Sequence, residues 1–237
     1  MLQKLNIENI LFLDIETVPM HRSFDDLSEK EKQLWDHKTR YRRTESETPE
    51  DFYPNAGIWA EFGKIVCISV GFFKKVVDKQ TFRITSFSGD EVELLNSFKD
   101  LIDNYFNGAQ HLLCAHNGKE FDFPYIARRM LIHNISLPEK LNLFGKKPWE
   151  ISHLDTLDLW KFGDYKHYTS LELLTHILDI PSPKTDISGS DVGRVFYEEE
   201  DLQRIVTYCE NDVVAIAQII LKLRQQNLLK ENDIVRI

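Results

Sequence analysis

A chain of 237 residues, 42% hydrophobic and 28% charged, has the composition of an ordinary globular protein and lies outside the low-hydrophobicity range of disordered chains. No apolar run reaches the ~18 residues of a transmembrane helix, and the N-terminus, MLQKLNIENILFLDIE, lacks a signal-peptide cleavage site, so a cytoplasmic protein with no membrane partner is expected. The net charge of −9 excludes a chain that is basic overall, and Cys67, Cys114 and Cys209, odd in number and far apart, argue against a disulfide framework or a zinc site and read as reduced core thiols.

No stretch has linker composition, so one domain over residues 1–237 is expected. The segment 10–16 reads as a strand. Residues 65–73 (IVCISVGFF) form a β-branched and aromatic run, and 81–88 (TFRITSFS) alternates and should pair with it. Ser88-Gly89-Asp90 then breaks the chain, and 91–106 places Val92, Leu95, Phe98, Leu101, Ile102 and Tyr105 at helical spacing. A short strand at 111–116 leads through Asn117-Gly118 into a helix from about 123 to 133; a further strand is expected within 151–159, a helix over 171–178 ended by Ile180-Pro181-Ser182-Pro183, and a long helix from about 199 to 228. The order βββαβαβαα predicts an α/β fold: a mixed sheet with helices on its faces.

Residues 20–64 depart from this rhythm, being rich in charge and poor in aliphatic side chains, and read as an insertion with a surface helix at about 25–40. It is either a lid that touches substrate or a decorative excursion. Lys38, Arg40, Arg42 and Arg43, the pair Arg128 and Arg129, and the pair Lys146 and Lys147 are local basic clusters, and solvated surface charge accounts equally well for each.

Three segments carry chemistry. In Leu11-Phe12-Leu13-Asp14-Ile15-Glu16-Thr17, strand alternation turns Asp14 and Glu16 to one face of an apolar strand, where two neighbouring anions need a cation or hydrogen bonds. In 115–126, the turn at Asn117-Gly118 leads to Asp122 at the mouth of a helix, where it can also serve as an N-cap or first-turn acid. In the last long helix, Tyr208 and Asp212 share a face, and Asp212 falls within the apolar stripe that contains Leu202, Ile205, Cys209, Ile216, Ile219 and Leu223. Each motif alone is a weak signal; three in order are a strong one.

These segments resemble the Exo I, Exo II and Exo III motifs of the DEDD superfamily of 3′-5′ exonucleases, which has an RNase H-like fold. Tyr208 makes the chain similar to the DEDDy branch, and Asn117 with Phe121-Asp122 and Pro124-Tyr125 makes the second motif look like the exonuclease domain of B-family DNA polymerases, in a stand-alone form. The resemblance covers roughly residues 9–225 and implies two Mg²⁺ or Mn²⁺ ions held by Asp14, Glu16, Asp122 and Asp212. Asp14 would bridge the ions, Glu16 and Asp212 hold the one on the water side, Asp122 act through intervening waters, and Tyr208 orient the attacking water. Its implied partner is nucleic acid, single-stranded DNA or a DNA 3′ end; a polymerase or helicase partner leaves no mark on the sequence.

Thr17, Asn117 and Phe121 flank the acids and are candidate contacts to the terminal nucleotide, set against the reading that Phe121 is core and Asn117 serves the turn. Ser188 to Val192 reads as an ordinary loop that could reach phosphate. His167 and His176 read as surface or helix residues, and Trp160, Phe162, Tyr165 and Tyr168 as core packing rather than base stacking. An exoribonuclease with the same chemistry, or a non-catalytic module that binds nucleic-acid ends, are the competing readings.

Overall fold

The computed structural model describes residues 2–76, 79–164, 166–181 and 186–237. Ile10, Leu11, Phe12 and Leu13 are all fully buried, so β1 (Ile10–Pro19) occupies the middle of a sheet with both faces covered. It pairs antiparallel with β2 (Gly63–Val76), which pairs antiparallel with β3 (Lys79–Ser88). On its other edge it pairs parallel with β4 (Leu112–Ala115), which carries β5 (Leu154–Asp155), and β6 (Ile234–Arg236) joins β3 in parallel. The order β5-β4-β1-β2-β3-β6 is the expected α/β arrangement, an RNase H-like mixed sheet flanked by α-helices.

Alternation along β1 sorts its side chains between two cores. Leu11, Leu13 and Ile15 face α3 (Glu91–Tyr105) and α4 (Asp122–Ile132), packing with Phe98, Ile126 and Met130. Ile10 and Phe12 face α8 (Leu202–Leu223) and pack with Val213, Ile216 and Ala217. Asp14 and Glu16 continue that second row, so the strand period aims them at α8. Gly71 lets this helix lie close, because a Cβ there would sit 2.4 Å from the Phe82 ring and 3.0 Å from Val213.

Several boundaries differ from expectation. In α3, Val92 and Tyr105 point outward, 40% and 72% exposed, and the buried stripe is Leu94, Leu95, Phe98 and Ile102. The expected strand at 151–159 shrinks to β5, because the Asp155 carboxylate accepts from the Leu157 and Asp158 N–H groups and starts α5 (Thr156–Lys161). The last long helix is shorter at both ends, stopped by left-handed residues at Glu200 and Gln225. Ahead of it run a short α7 (Val192–Arg194) and a π-helical turn (Val195–Glu199), and α6 (Leu171–Ile177) stands where expected. Ser182, Pro183 and Tyr165 lie outside the described residues. Among the described residues, no helix is long and apolar enough to cross a membrane.

Within residues 20–64, α1 (Glu29–Thr39) is capped by Ser28, whose hydroxyl accepts from the Glu31 N–H, and α2 (Pro49–Phe52) by Thr48. The expectation of a mere surface helix fails at Trp35. It is fully buried, its Nε1–H donates to the Pro49 carbonyl at 2.7 Å, and the rings of Phe52, Tyr53, Trp59 and Phe62 surround it with centroids 5.2–6.0 Å away. Aromatic packing replaces the missing aliphatic side chains, and the segment carries its own small core.

Candidate active site

The four carboxylates come from three elements. Asp14 and Glu16 extend from β1 toward α8, and a β-bulge between Glu16 and Thr17 then ends the alternation. Asp122, 3% exposed, is the first residue of α4; its carboxylate accepts from the Ile15 backbone N–H, which ties the helix start to β1 between the other two acids. Asp212 lies one turn beyond Tyr208 on α8 and accepts from the Tyr208 hydroxyl. The spacing within each motif delivers the pairs, and the sheet brings the pairs together.

The electrostatics are those of anions crowded where water is scarce. Burial pushes the Asp14 carboxyl well above the usual range, and Glu16, Asp212 and Asp122 push it further. Glu16 is raised for the same first reason and then by Asp212. Burial lifts Asp122 to about 8, against the hydrogen bonds from its own N–H and that of Ile15, and Asp212 to about 7, against the Tyr208 hydroxyl. Tyr208 is itself raised by burial and by Asp212, so its hydroxyl keeps its proton. Among the described residues, no lysine or arginine forms an ion pair with any of the four acids. Buried carboxyl groups crowded together without a protein cation either keep their protons or take up a cation from outside.

A cleft of 1020 Å³ opens over Asp14, Tyr208 and Asp212. Its far wall contains His116, Tyr168 and Glu172, which sequence reasoning did not place there, and also His176, read above as a surface or helix residue. His116 is held at both ring nitrogens, 2.9 Å from the Thr156 hydroxyl and 2.9 Å from the Thr169 carbonyl. A carbonyl only accepts, so Nε2 carries the proton and Nδ1 accepts from Thr156. Burial lowers the His116 pKa, which agrees with this neutral ring. The contact fixes residues 168–170 beside the cleft, where Tyr168 is 65% exposed and therefore not the core residue expected. Ser188, Gly189 and Asp191 also line it, so that loop belongs to the site region.

Each of the three candidate nucleotide contacts has a partner within the protein. Thr17 bonds the Tyr125 hydroxyl, Asn117 takes a left-handed φ of 61° and gives its N–H to Asp155 at 2.9 Å, and the Phe121 ring packs on Tyr125 at 5.3 Å. None of them lines the cleft. Asp155, 3% exposed, is the organiser that the sequence did not disclose: it caps α5 and also accepts from the Lys119 N–H, holding the turn that leads to Asp122.

The cysteines are buried and free as expected, but two of them are not remote from the site. Cys209 Sγ donates to Asp14 Oδ2 at 3.4 Å, and its thiol contacts that of Cys67. Ligating atoms of Asp14, Glu16 and Cys209 all lie within 4.8 Å of one another. Position 209, three residues before Asp212 on the same helix, was the available signal.

The structure is similar to that of the family B DNA polymerase from the hyperthermophilic archaeon Pyrobaculum calidifontis, with a TM-score of 0.53 and 15% identity over 90% of this chain and 24% of the polymerase chain. At that identity the likeness is one of fold, and this chain spans about a quarter of the polymerase. No curated protein matches the chain. Residues 58–232 match a family model, a stretch that contains Asp122, Tyr208 and Asp212 and begins after Asp14 and Glu16. The chain therefore belongs to the family described as a predicted 3′-5′ exonuclease related to the exonuclease domain of PolB.

Proposed function

We propose that the protein is a metal-dependent 3′-5′ exonuclease that hydrolyses phosphodiester bonds at DNA 3′ ends with two divalent cations. The observation that carries this is the meeting of four buried carboxylates, uncompensated by any described lysine or arginine, with a protonated tyrosine at the edge of an open cleft. Asp14, Glu16, Asp122 and Asp212 would hold the ions, and their hard oxygen donors suit Mg²⁺ or Mn²⁺. Bound there, such ions make a nucleophile of water at neutral pH and stabilise charge on the leaving oxygen.

The remaining work falls to side chains. Tyr208, kept protonated and held by Asp212, orients the attacking water as a hydrogen-bond partner rather than as a base. Tyr168 offers an exposed ring to a base, and Ser188 a hydroxyl to phosphate. The DNA assignment rests on the resemblance of residues 115–126 to the second motif of B-family polymerase exonucleases.

The test is digestion of 5′-labelled DNA and RNA strands with Mg²⁺ or Mn²⁺, beside Asp212→Ala prepared identically. Progressively shortened DNA that is absent with the variant is the expected result. Shortening of RNA alone would overturn the DNA assignment, and no cleavage of either would overturn the enzyme reading.

A further inference from the structure

A second concavity, of 360 Å³, lies between α4 and residues 137–151. Its walls are mostly aliphatic, with Leu131, Leu137, Leu141 and Leu143 among them, and two of its apolar residues stand well out of the core: Leu131 is 48% exposed and Phe144 72%. Of the thirteen described residues lining it, three are cations, Lys119, Arg128 and Lys146, and none is acidic, in a chain whose acids outnumber its bases by nine. Lys119 is paired with Asp158 at 3.3 Å, whereas Arg128 and Lys146 form no ion pair among the described residues. Charge of one sign around an apolar floor is the complement of a ligand that is apolar at its centre and anionic at its edges.

We propose that this groove docks a partner polypeptide segment that carries aliphatic or aromatic anchors flanked by Asp and Glu. A nucleic-acid strand would supply the negative charge, but its bases stack on aromatic platforms, and the described lining offers one exposed ring, Phe144, against four leucines. Leucine-lined grooves take apolar side chains, with the charged rim setting orientation and rate of encounter. The site stands apart from the acidic cleft: α4 turns Asp122 toward β1 and offers Ala127, Arg128 and Leu131 to the groove. It does not rest on the exonuclease reading, and a segment seated here would leave the cleft open.

A displayed library of random short peptides, selected against the full-length protein and counter-selected against Arg128→Glu/Lys146→Glu, tests the proposal. Thermal unfolding of the doubly reversed variant, unchanged from wild type, shows that both targets are folded. The expected outcome is enrichment of peptides that combine apolar anchors with Asp or Glu, whose Kd rises at least about tenfold with the double reversal and also with Leu131→Glu. Enrichment of basic or neutral peptides, or of none, would overturn it. So would a labelled single-stranded oligonucleotide whose binding the double reversal abolishes, or self-association of the chain that Leu131→Glu abolishes.

Discussion

Two concave surfaces of this molecule, which share no lining residue, are electrostatic opposites. Among the described residues, the cleft over β1 and α8 is lined by five acids and no lysine or arginine, whereas the groove on α4 is lined by three such cations and no acid. They differ in burial as well as in sign. The catalytic candidates are desolvated together, and burial leads the causes that raise all four carboxyl groups. Arg128 and Lys146 stand in water, where a charge costs little. The folded state thus stores unfavourable electrostatics in the cleft and almost none in the groove, so only the cleft should answer strongly to cations, to pH and to loss of a single charge.

The largest expected effect follows from removing an acid. Asp14→Asn should lower cleavage of labelled DNA at least about a thousandfold, since ions held by such ligands supply several kcal/mol of transition-state stabilisation. Arg128→Glu, assayed beside it, should leave cleavage within about threefold of wild type. Near-normal cleavage by Asp14→Asn would separate the acidic cluster from the chemistry.

Next in size is the response of stability to pH and metal. Asp122 and Asp212 titrate in the folded protein at about 8 and about 7 against an ordinary 3.8, so the folded state keeps protons that the unfolded chain releases. Their contribution to stability is complete below pH 3.8 and is lost as pH rises through 7 and 8. His153 works in the opposite sense: burial lowers it to about 4 from 6.5, so its contribution is present above 6.5 and lost as pH falls toward 4. The cleft therefore speaks most clearly between pH 6.5 and 8. In chelator, Tm should fall across that window, and Asp122→Asn should flatten the fall. Mg²⁺ should restore Tm more at pH 8 than at pH 6.5, because protonated carboxyls are poor ligands. A Tm that ignores Mg²⁺ at pH 8 would count against the site.

How much of this contrast was legible in the sequence depends on how far apart its parts lie in the chain. The acids were legible because local periodicity places them: alternation carries Asp14 and Glu16 onto the face of Ile10 and Phe12, and one helical turn links Tyr208 to Asp212. The far wall was not, because it depends on contacts between distant residues. His116 is fixed by Thr156 and Thr169, 40 and 53 positions away, and no pattern around any of the three announces the meeting. Trp35 was hidden for the same reason, being a single aromatic in a charged helix whose partners lie 17 to 27 residues downstream. At 151–159 the apolar pattern fits strand and helix alike, and the Asp155 cap decides the matter. The groove fell between two basic pairs, Arg128-Arg129 and Lys146-Lys147, and the members of the first part company: Arg129 turns inward to Glu91, and Arg128 turns outward.

A smaller effect is expected at Tyr208. Tyr208→Phe keeps the ring but removes the hydroxyl that Asp212 accepts, and a hydrogen bond to a charged group is worth about 1.5–3 kcal/mol. Cleavage should fall about ten- to a hundredfold and persist. Loss as complete as that of Asp14→Asn would make Tyr208 indispensable rather than orienting; no loss would remove it from the reaction.

The smallest effect is the most informative about where the acidic cluster ends. Cys209 touches Asp14 through a thiol, a weak donor, and sits near enough to Asp14 and Glu16 to complete a ligand triangle. Burial pushes that thiol well above its ordinary range, so it meets the acids as a neutral group and fills the space beneath them. On this account Cys209→Ala leaves a small void and a lost weak bond, about 1 kcal/mol of stability, with cleavage in Mg²⁺ within about threefold of wild type. Cys209→Ser, which restores a donor toward Asp14, should be no less active than Cys209→Ala. If instead Cys209→Ala abolished cleavage as Asp14→Asn does, sulfur would belong to the ligand set, and the preference for Mg²⁺ or Mn²⁺ argued from oxygen donors alone would have to be given up.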